Sequence, residues 1–173
     1  MKNILIIALL VMLSSCKKEV TVITETTLVA KDLTKITKED ISKINYIEYG
    51  IDSKAKITLD SWQAYNTISS AIDKIKQADF TFFKTDDAIF NTTLTDIETT
   101  TPEAIDSEPI KARILILRTK LLKLRESINL NTASKSEKLI AIRELFQSFS
   151  YVTLQINKKF EKEAQNIIKL DSL

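Results

Sequence analysis

The sequence predicts an all-α protein: an antiparallel bundle of about four to five helices with a long C-terminal helix, preceded by a signal peptide and a tether. Of its 173 residues 44% are hydrophobic, which suits one packed domain. One glycine and two prolines are too few for the turns of a β-sandwich or barrel of this size. From residue 37 onward, apolar residues recur at steps of three and four, the period of an amphipathic helix.

Residues 1–15 are predicted to be a lipoprotein signal peptide. Lys2 precedes an apolar run over residues 4–13, which is too short to cross a bilayer because a spanning helix needs about 20 residues. The end of this segment resembles the bacterial lipobox, in which a signal peptidase recognises an aliphatic residue and two small residues and cleaves before an obligatory cysteine: Leu13, Ser14, Ser15 and Cys16. The alternative is an ordinary signal peptide with an incidental cysteine.

Acylation of Cys16 would make membrane lipid the first partner of the chain. Several acyl chains give stable attachment, because each buried methylene contributes about 0.8 kcal/mol. We therefore expect a protein of the bacterial cell envelope, lipid-anchored in the outer membrane, with the periplasmic or surface face left open. The 25 basic and 23 acidic residues nearly balance, so we expect no nucleic-acid partner.

Residues 16–36 are interpreted as the lipidated N-terminus and a flexible tether. The segment is rich in Thr and Val and carries no helical stripe. A short strand over Val20 to Val29 is the alternative, although no clear partner strand follows.

The bundle is predicted to span residues 37–173 and to begin with two helices. Thr37 can cap a short helix that the one glycine, Gly50, would close in a left-handed conformation. A second helix is expected to start at Asp52 or Ser53 and to continue, on one unbroken apolar face, to about Gln77.

The middle of the chain is predicted to contain a break and a third helix. The aromatic segment 79–83 interrupts the helical period, and Thr85 is expected to open a helix that carries an apolar face: Ile89, Phe90, Leu94 and Ile97. Two prolines, Pro102 and Pro109, frame the next connection. Thr101 and Ser107 are expected to be N-caps beside them.

Two long helices are predicted to complete the bundle. The first has a coiled-coil-like seam that ends near Asn129: Ile110, Ile114, Leu117, Leu121, Leu124 and Ile128. Ser134 and Glu137 form a capping box before the last helix, which is expected to run for about 35 residues.

The charge pattern inside the domain suggests two interpretations. Residues 86–108 carry seven acidic and no basic residues, whereas the helix over 110–128 carries six basic residues against Glu126 alone. These basic residues form two stripes, the first with Lys111, Arg118 and Arg125 and the second with Arg113 and Lys120. Either the helix contacts an anion or an acidic partner, for which Lys111, Arg113, Arg118 and Arg125 are the candidates, or the acidic segment packs against it.

Catalytic chemistry is not predicted. The chain has no histidine, and no nucleophile motif, phosphate-binding glycine loop or paired carboxylates stand out, so we expect no enzyme, no cofactor and no metal. Aromatic residues at helical spacing could line a ligand pocket or belong to the core: Trp62, Tyr65, Phe146, Phe149 and Phe160. Asn157, within the last helix, is expected to be exposed.

Five segments resemble those of a family of uncharacterised helical lipoproteins of flavobacterial-type (Bacteroidota) bacteria: YIEYGIDSK (46–54), SWQAY (61–65), DFTFF (79–83), IKARILILRTKLLKL (110–124) and INKKFEKEAQNI (156–167). The resemblance implies a lipidated helical protein of the outer envelope and supplies no site residues.

The sequence favours a membrane-anchored envelope lipoprotein whose bundle binds an envelope protein or has a structural role. The alternative is a helical bundle that binds a small molecule or an anion through the basic helix 110–128.

Overall fold

The computed structural model describes residues 35–165, in which six α-helices and two 3-10 turns occur without any β-strand. The helices, in chain order, are α1 (Lys38–Ser42), α2 (Ser53–Ser61), α3 (Gln63–Lys76), α4 (Asp87–Thr99), α5 (Glu108–Asn129) and α6 (Lys135–Ala164). The 3-10 turns are Thr81–Lys84 and Glu103–Ile105. The all-α class and the long C-terminal helix are confirmed. The predicted signal peptide, Cys16 and the tether up to residue 34 lie outside the described residues.

The antiparallel pair of α5 and α6 is the centre of the bundle. Five positions of the predicted α5 seam are buried, and all of them belong to one apolar core that α6 shares: Ile110, Ile114, Leu117, Leu121 and Leu124. The predicted capping box is present, because the Glu137 amide donates to Ser134 Oγ over 3.2 Å and the Ser134 amide donates to the Glu137 carboxylate over 2.7 Å. Helix α6 is described as far as Ala164, so the rest of the expected 35 residues lies outside the described part of the chain.

The predicted helix from residue 53 to about 77 is wrong in one respect, because it is broken at Trp62. This residue ends α2 and precedes α3 with an extended backbone, φ −90° and ψ 92°. The Asn66 side chain donates to the carbonyls of Leu59, over 3.1 Å, and Asp60, over 2.9 Å, and so satisfies groups that the break leaves open. The apolar period continues through the break, which is why the pattern alone did not reveal it.

The prediction that Gly50 stops a helix is also wrong. Helix α1 ends at Ser42, and no glycine in the described residues has a positive φ. Residues 43–52, which we call the strap, are not helical, so Ile44 and Ile47 lie outside α1. The left-handed residue is Ala78, with φ 61°, in a Schellman motif that closes α3: the Asp79 amide donates to the Lys74 carbonyl over 3.0 Å.

The capping predictions have mixed outcomes. Thr37 caps α1 and Asp52 caps α2, as expected. The N-cap of α4 is Asp86 and not Thr85, and the Asp86 carboxylate accepts a hydrogen bond from the Ala88 amide over 2.8 Å. Thr101 does not cap a helix, since its hydroxyl points back to the Ile97 carbonyl, 3.3 Å away.

Ser107 is the N-cap residue of α5, as expected, although its side chain makes no capping hydrogen bond. One further detail of the predicted elements needs correction. On α4, Ile89 is exposed, whereas Phe90, Leu94 and Ile97 are buried.

Candidate functional site

The first basic stripe of α5 forms ion pairs with the acidic segment that precedes it. Three of its cations each lie near a carboxylate: Lys111 Nζ is 2.8 Å from Asp106 Oδ1, Arg118 Nε is 3.4 Å from Glu98 Oε1, and Arg125 Nη2 is 2.5 Å from Asp87 Oδ1. This pairing within the molecule is what the alternating charge of residues 86–125 predicts. Each of these pairs involves at least one largely exposed side chain, so each stabilises the fold only weakly.

The second basic stripe of α5, together with Lys123, contacts α6. Nζ of Lys120 and Nζ of Lys123 lie 3.1 Å and 2.8 Å from the same Glu144 carboxylate oxygen. The hydrogen bond from Lys123 lowers the pKa of Glu144 below its usual value. The Arg113 guanidinium lies over the ring of Tyr151, with Cζ 5.4 Å from the ring centroid. Basic side chains of α5 therefore make contacts on two sides of the helix, with the acidic segment on one side and with α6 on the other.

Arg125 is the least exposed of the candidate anion contacts. Its Nη2 also donates to the Thr85 carbonyl over 2.8 Å, and its Cζ lies 4.3 Å from the centroid of the Phe90 ring. One helical turn later, Asn129 donates to the Phe83 carbonyl over 2.9 Å. These contacts fasten the end of α5 to the turn before α4.

The outer face of α5 exposes apolar side chains. Leu115, Ile116 and Leu122 are 57%, 43% and 40% exposed. Leu115 and Leu122 are seven residues apart, with Thr119 between them, and therefore lie along one side of the helix. We call Leu115, Ile116, Thr119 and Leu122 the outer face.

Two polar side chains of α6 hold the strap. Ser150 Oγ accepts from the Tyr49 amide over 2.8 Å and donates to the Ile47 carbonyl over 2.7 Å. Asn157, two helical turns further along α6, accepts from the Asp52 amide over 3.0 Å and donates to the Gly50 carbonyl over 2.8 Å. The expectation that Asn157 is exposed is therefore wrong. The residue is half-buried, and both the oxygen and the nitrogen of its side-chain amide bond to the strap backbone.

A groove of about 420 Å³ lies between the strap, α3 and α6. Five aromatic residues line it. Four of them form two contacting pairs, Tyr46 with Phe146, 5.1 Å between centroids, and Tyr65 with Phe149, 5.0 Å apart, and the fifth is Tyr49. The Tyr65 hydroxyl hydrogen-bonds to the Thr153 hydroxyl over 3.0 Å, and burial raises the pKa of Tyr65. We call this feature the aromatic groove.

The charged residues that line the aromatic groove are both acidic, Glu48 and Asp73. Lys76, beside the groove, places its ammonium 2.7 Å from Glu48 Oε1 and 3.4 Å from Asp73 Oδ1. The hydrogen bond from Lys76 lowers the pKa of Glu48, and a further bond from the Tyr46 hydroxyl, 2.8 Å long, acts in the same direction. Burial, assisted by the bond to Glu48, raises the pKa of Tyr46 to about 12.

The aromatic residues singled out from the sequence divide between core and groove. Trp62 is buried in the core, where it stacks on Tyr65 at 5.7 Å, and Phe160 packs against that core. Tyr65, Phe146 and Phe149 line the groove. Sequence reasoning missed Tyr46, Glu48 and Asp73, because a helix was expected where the strap runs. The polar residues Ser150 and Asn157, at the edge of an apolar stripe, were the available clue.

The remaining predicted site residues, Leu13, Ser14, Ser15 and Cys16, lie outside residues 35–165. Within that part of the chain, no group of histidine, cysteine, aspartate or glutamate residues is arranged to hold a metal ion. None of the helices described there is both long and apolar enough to cross a membrane. Comparisons with protein families, curated proteins and solved structures found no match to this chain. The resemblance to flavobacterial lipoproteins therefore stays a prediction.

Proposed function

We propose that the protein is a membrane-anchored envelope lipoprotein whose helical bundle is a non-catalytic module that binds another envelope protein. The observation that carries the proposal is the position of the one cysteine of the chain, Cys16, directly after an apolar run and Leu13-Ser14-Ser15. Acylation there would hold the bundle at the membrane. The predicted tether would end before Ile36, because Ile36 is buried in the core of the bundle.

The interior of the described bundle supports a binding role over a catalytic one. Its buried polar residues are hydroxyl residues that already have hydrogen-bond partners: Ser148, Ser150 and Thr153. A catalytic acid or base usually has a carboxylate or another titratable group set in a cleft with a strongly shifted pKa. Near the aromatic groove, the pKa of Glu48 is instead lowered by the hydrogen bond from Lys76, and Glu48 and Asp73 both face that ammonium.

The outer face of α5 supports a protein partner. Apolar side chains that are about half exposed and adjacent on one helix are typical of interaction surfaces. Basic residues border the outer face, and Glu126 is the one acidic residue of α5 between Ile110 and Ile128. The complementary partner would therefore present an apolar surface with carboxylates at its rim.

Replacement of Cys16 tests the anchor. Cys16→Ser should abolish incorporation of labelled palmitate and should leave residues 1–15 attached, because the peptidase needs the acylated cysteine. Ser14→Ala is the matched control, since it keeps a small residue in the motif and should be processed normally. Normal processing and labelling of the Cys16→Ser protein would contradict the anchor.

Replacement of Leu122 tests the surface. Leu122→Glu should remove a stoichiometric partner that co-purifies with the wild-type protein from detergent-solubilised envelopes. Ile57→Glu, on the exposed side of α2, is the control because Ile57 is 81% exposed and lies away from α5. Equal recovery of the partner with both variants would contradict an interface at the outer face.

The alternative, an anion site on the basic helix, has one observation in its favour. Nη1 of Arg125 is buried without a hydrogen-bond partner, although Nη2 of the same guanidinium is engaged. Inorganic phosphate should then raise the melting temperature of the wild-type protein and not that of Arg125→Met. An equal effect of phosphate on both would reject this alternative.

A further inference from the structure

We propose that the aromatic groove binds a small organic cation that carries a methylated ammonium group. The inference is independent of the outer face of α5 and goes beyond the proposed protein-binding role. It stands on three features: the aromatic walls, the sign of the charges, and a volume of about 420 Å³.

The walls have the chemistry that holds alkylated ammonium groups. The face of an aromatic ring carries negative charge density, so it attracts a cation while its carbon surface contacts methyl groups. Three partly exposed rings, those of Tyr46, Tyr49 and Phe149, line the groove. Tyr65 and Phe146, each 2% exposed, pack behind two of them, with centroids 5.0 Å from that of Phe149 and 5.1 Å from that of Tyr46. This packing and the bond from Tyr46 to Glu48 preorganise the exposed rings.

The charges select the same class of ligand. Glu48 and Asp73 line the groove, and the residues that line it include no lysine or arginine. Lys76 already holds an ammonium between these two carboxylates, at 2.7 Å and 3.4 Å, which indicates that their spacing suits a cation. The same lysine partly neutralises the groove and would compete with the ligand.

The strap gives the groove its outer wall. Tyr46, Glu48 and Tyr49 belong to the strap, and Ser150 and Asn157 hold the strap backbone against α6. The site thus depends on contacts between residues about a hundred positions apart in the chain. Because the volume falls in the range of roughly 300–1,000 Å³ that is usual for small-molecule sites, a ligand of the size of choline fits.

Proton NMR titration of the full chain with tetramethylammonium and with choline tests the proposal. The protein is kept in a detergent without ammonium groups. Methyl protons that lie over ring faces shift upfield, so we expect a saturable upfield shift of the ligand methyl signal. The neutral dimethylbutanol that has the shape of choline should show no saturable shift. Equal binding of this neutral compound would overturn the proposal, because it would mean that the groove recognises only apolar shape.

Three variants separate the contributions. Glu48→Gln should weaken binding by about tenfold, because it removes one carboxylate charge and keeps the side-chain shape. Lys76→Met should tighten binding by about fivefold, because it removes the competing ammonium. Lys56→Met is the matched control, since Lys56 forms a comparable lysine–aspartate pair with Asp60, 3.0 Å long, on exposed α2. Weaker binding to Lys76→Met, or no saturable shift with it, would overturn the proposal.

The same ammonium chemistry occurs in free choline and in the headgroup of phosphatidylcholine. Comparison of free choline with phosphatidylcholine vesicles distinguishes the two sources. If only vesicles bind, and Glu48→Gln weakens that binding, the ligand is a lipid headgroup. If neither free choline nor vesicles respond to Glu48→Gln, the groove is not a cation site.

Discussion

Two of the long-range contacts of helix α6 differ in kind, the one with α5 and the one with the strap. The contact with α5 is an apolar seam with ion pairs along its exposed margins, such as Lys123 with Glu144. The contact with the strap depends on polar side chains that bond directly to backbone groups, through Ser150 and Asn157. The ion pairs with α5 repeat along the helix, so we expect the loss of any one pair to be tolerated, whereas the polar bonds to the strap are concentrated in Ser150 and Asn157, beside the aromatic contact of Tyr46 with Phe146.

The largest effect is expected from Ser150→Ala. This change leaves the Tyr49 amide and the Ile47 carbonyl without their partner, so it should lower the free energy of unfolding by about 1–3 kcal/mol. Ser148→Ala is a matched control on the same helix, because Ser148 is also buried but bonds only to the Leu145 carbonyl of its own helix. Chemical denaturation measures both. Equal losses for the two serines would contradict the role given to Ser150.

A smaller effect of opposite sign is expected from Ala78→Gly. Ala78 is left-handed at φ 61°, a conformation that costs an alanine about 1–2 kcal/mol and a glycine almost nothing. After allowance for the greater flexibility of unfolded glycine, the variant should be more stable by about 0.5–1 kcal/mol.

Gly50→Ala is the counterpart of this prediction. Gly50 does not have a positive φ, and a Cβ atom built there meets nothing within 4 Å. The variant should therefore be as stable as the wild type or slightly more stable. A marked loss of stability in Gly50→Ala, measured by the same denaturation curves, would show that the strap needs the glycine.

A weak effect is expected from Glu144→Gln, which removes the acid shared by Lys120 and Lys123. Both cations are partly exposed, so the loss should be about 0–1 kcal/mol and should disappear in high salt. A loss as large as that of Ser150→Ala, or one that persists in molar salt, would remove the contrast between the two contacts of α6.

The ionisation of Tyr46 should lower the free energy of unfolding at alkaline pH and leave it unchanged at neutral pH. Its folded pKa, about 12, lies above the ordinary value of 10.0, so the protonated form is favoured in the fold. This contribution is complete below pH 10 and is lost as the pH rises through about 12. Ultraviolet titration should show late ionisation of both Tyr46 and Tyr65, whose pKa values are raised, and Tyr46→Phe should reduce the amplitude of the late step by one tyrosine. If every tyrosine ionised near the ordinary pKa of 10.0, this would contradict the burial of Tyr46 and its bond to Glu48.

The parts of the fold that the sequence predicts are those that residue spacing and charge along the chain reveal. The α5 seam, the Ser134–Glu137 capping box and the pairing of Lys111, Arg118 and Arg125 with preceding acids follow from spacing and charge. The break at Trp62 could not be predicted this way, because its stabilising contact with Thr100, 3.1 Å from the indole nitrogen, comes from a distant helix.

The aromatic groove was not predictable for a related reason. Its walls come from the strap, α3 and α6, and the strap was expected to be helical up to Gly50. The spacing of Ile41, Ile44 and Ile47 favours such a helix, but the bonds from Ser150 and Asn157 to the strap backbone supply the alternative partners that extended residues need. Buried polar residues on an otherwise apolar helix face are thus a sign of a non-helical partner segment.

The central proposal, a bundle held at the membrane through Cys16, is tested most directly by the intact mass of the protein extracted from bacterial membranes. We predict a chain that begins at Cys16 and is heavier than residues 16–173 by a diacylglyceryl group and one further acyl chain. A chain that retains residues 1–15, or one that begins at Cys16 with no added mass, would contradict the proposal.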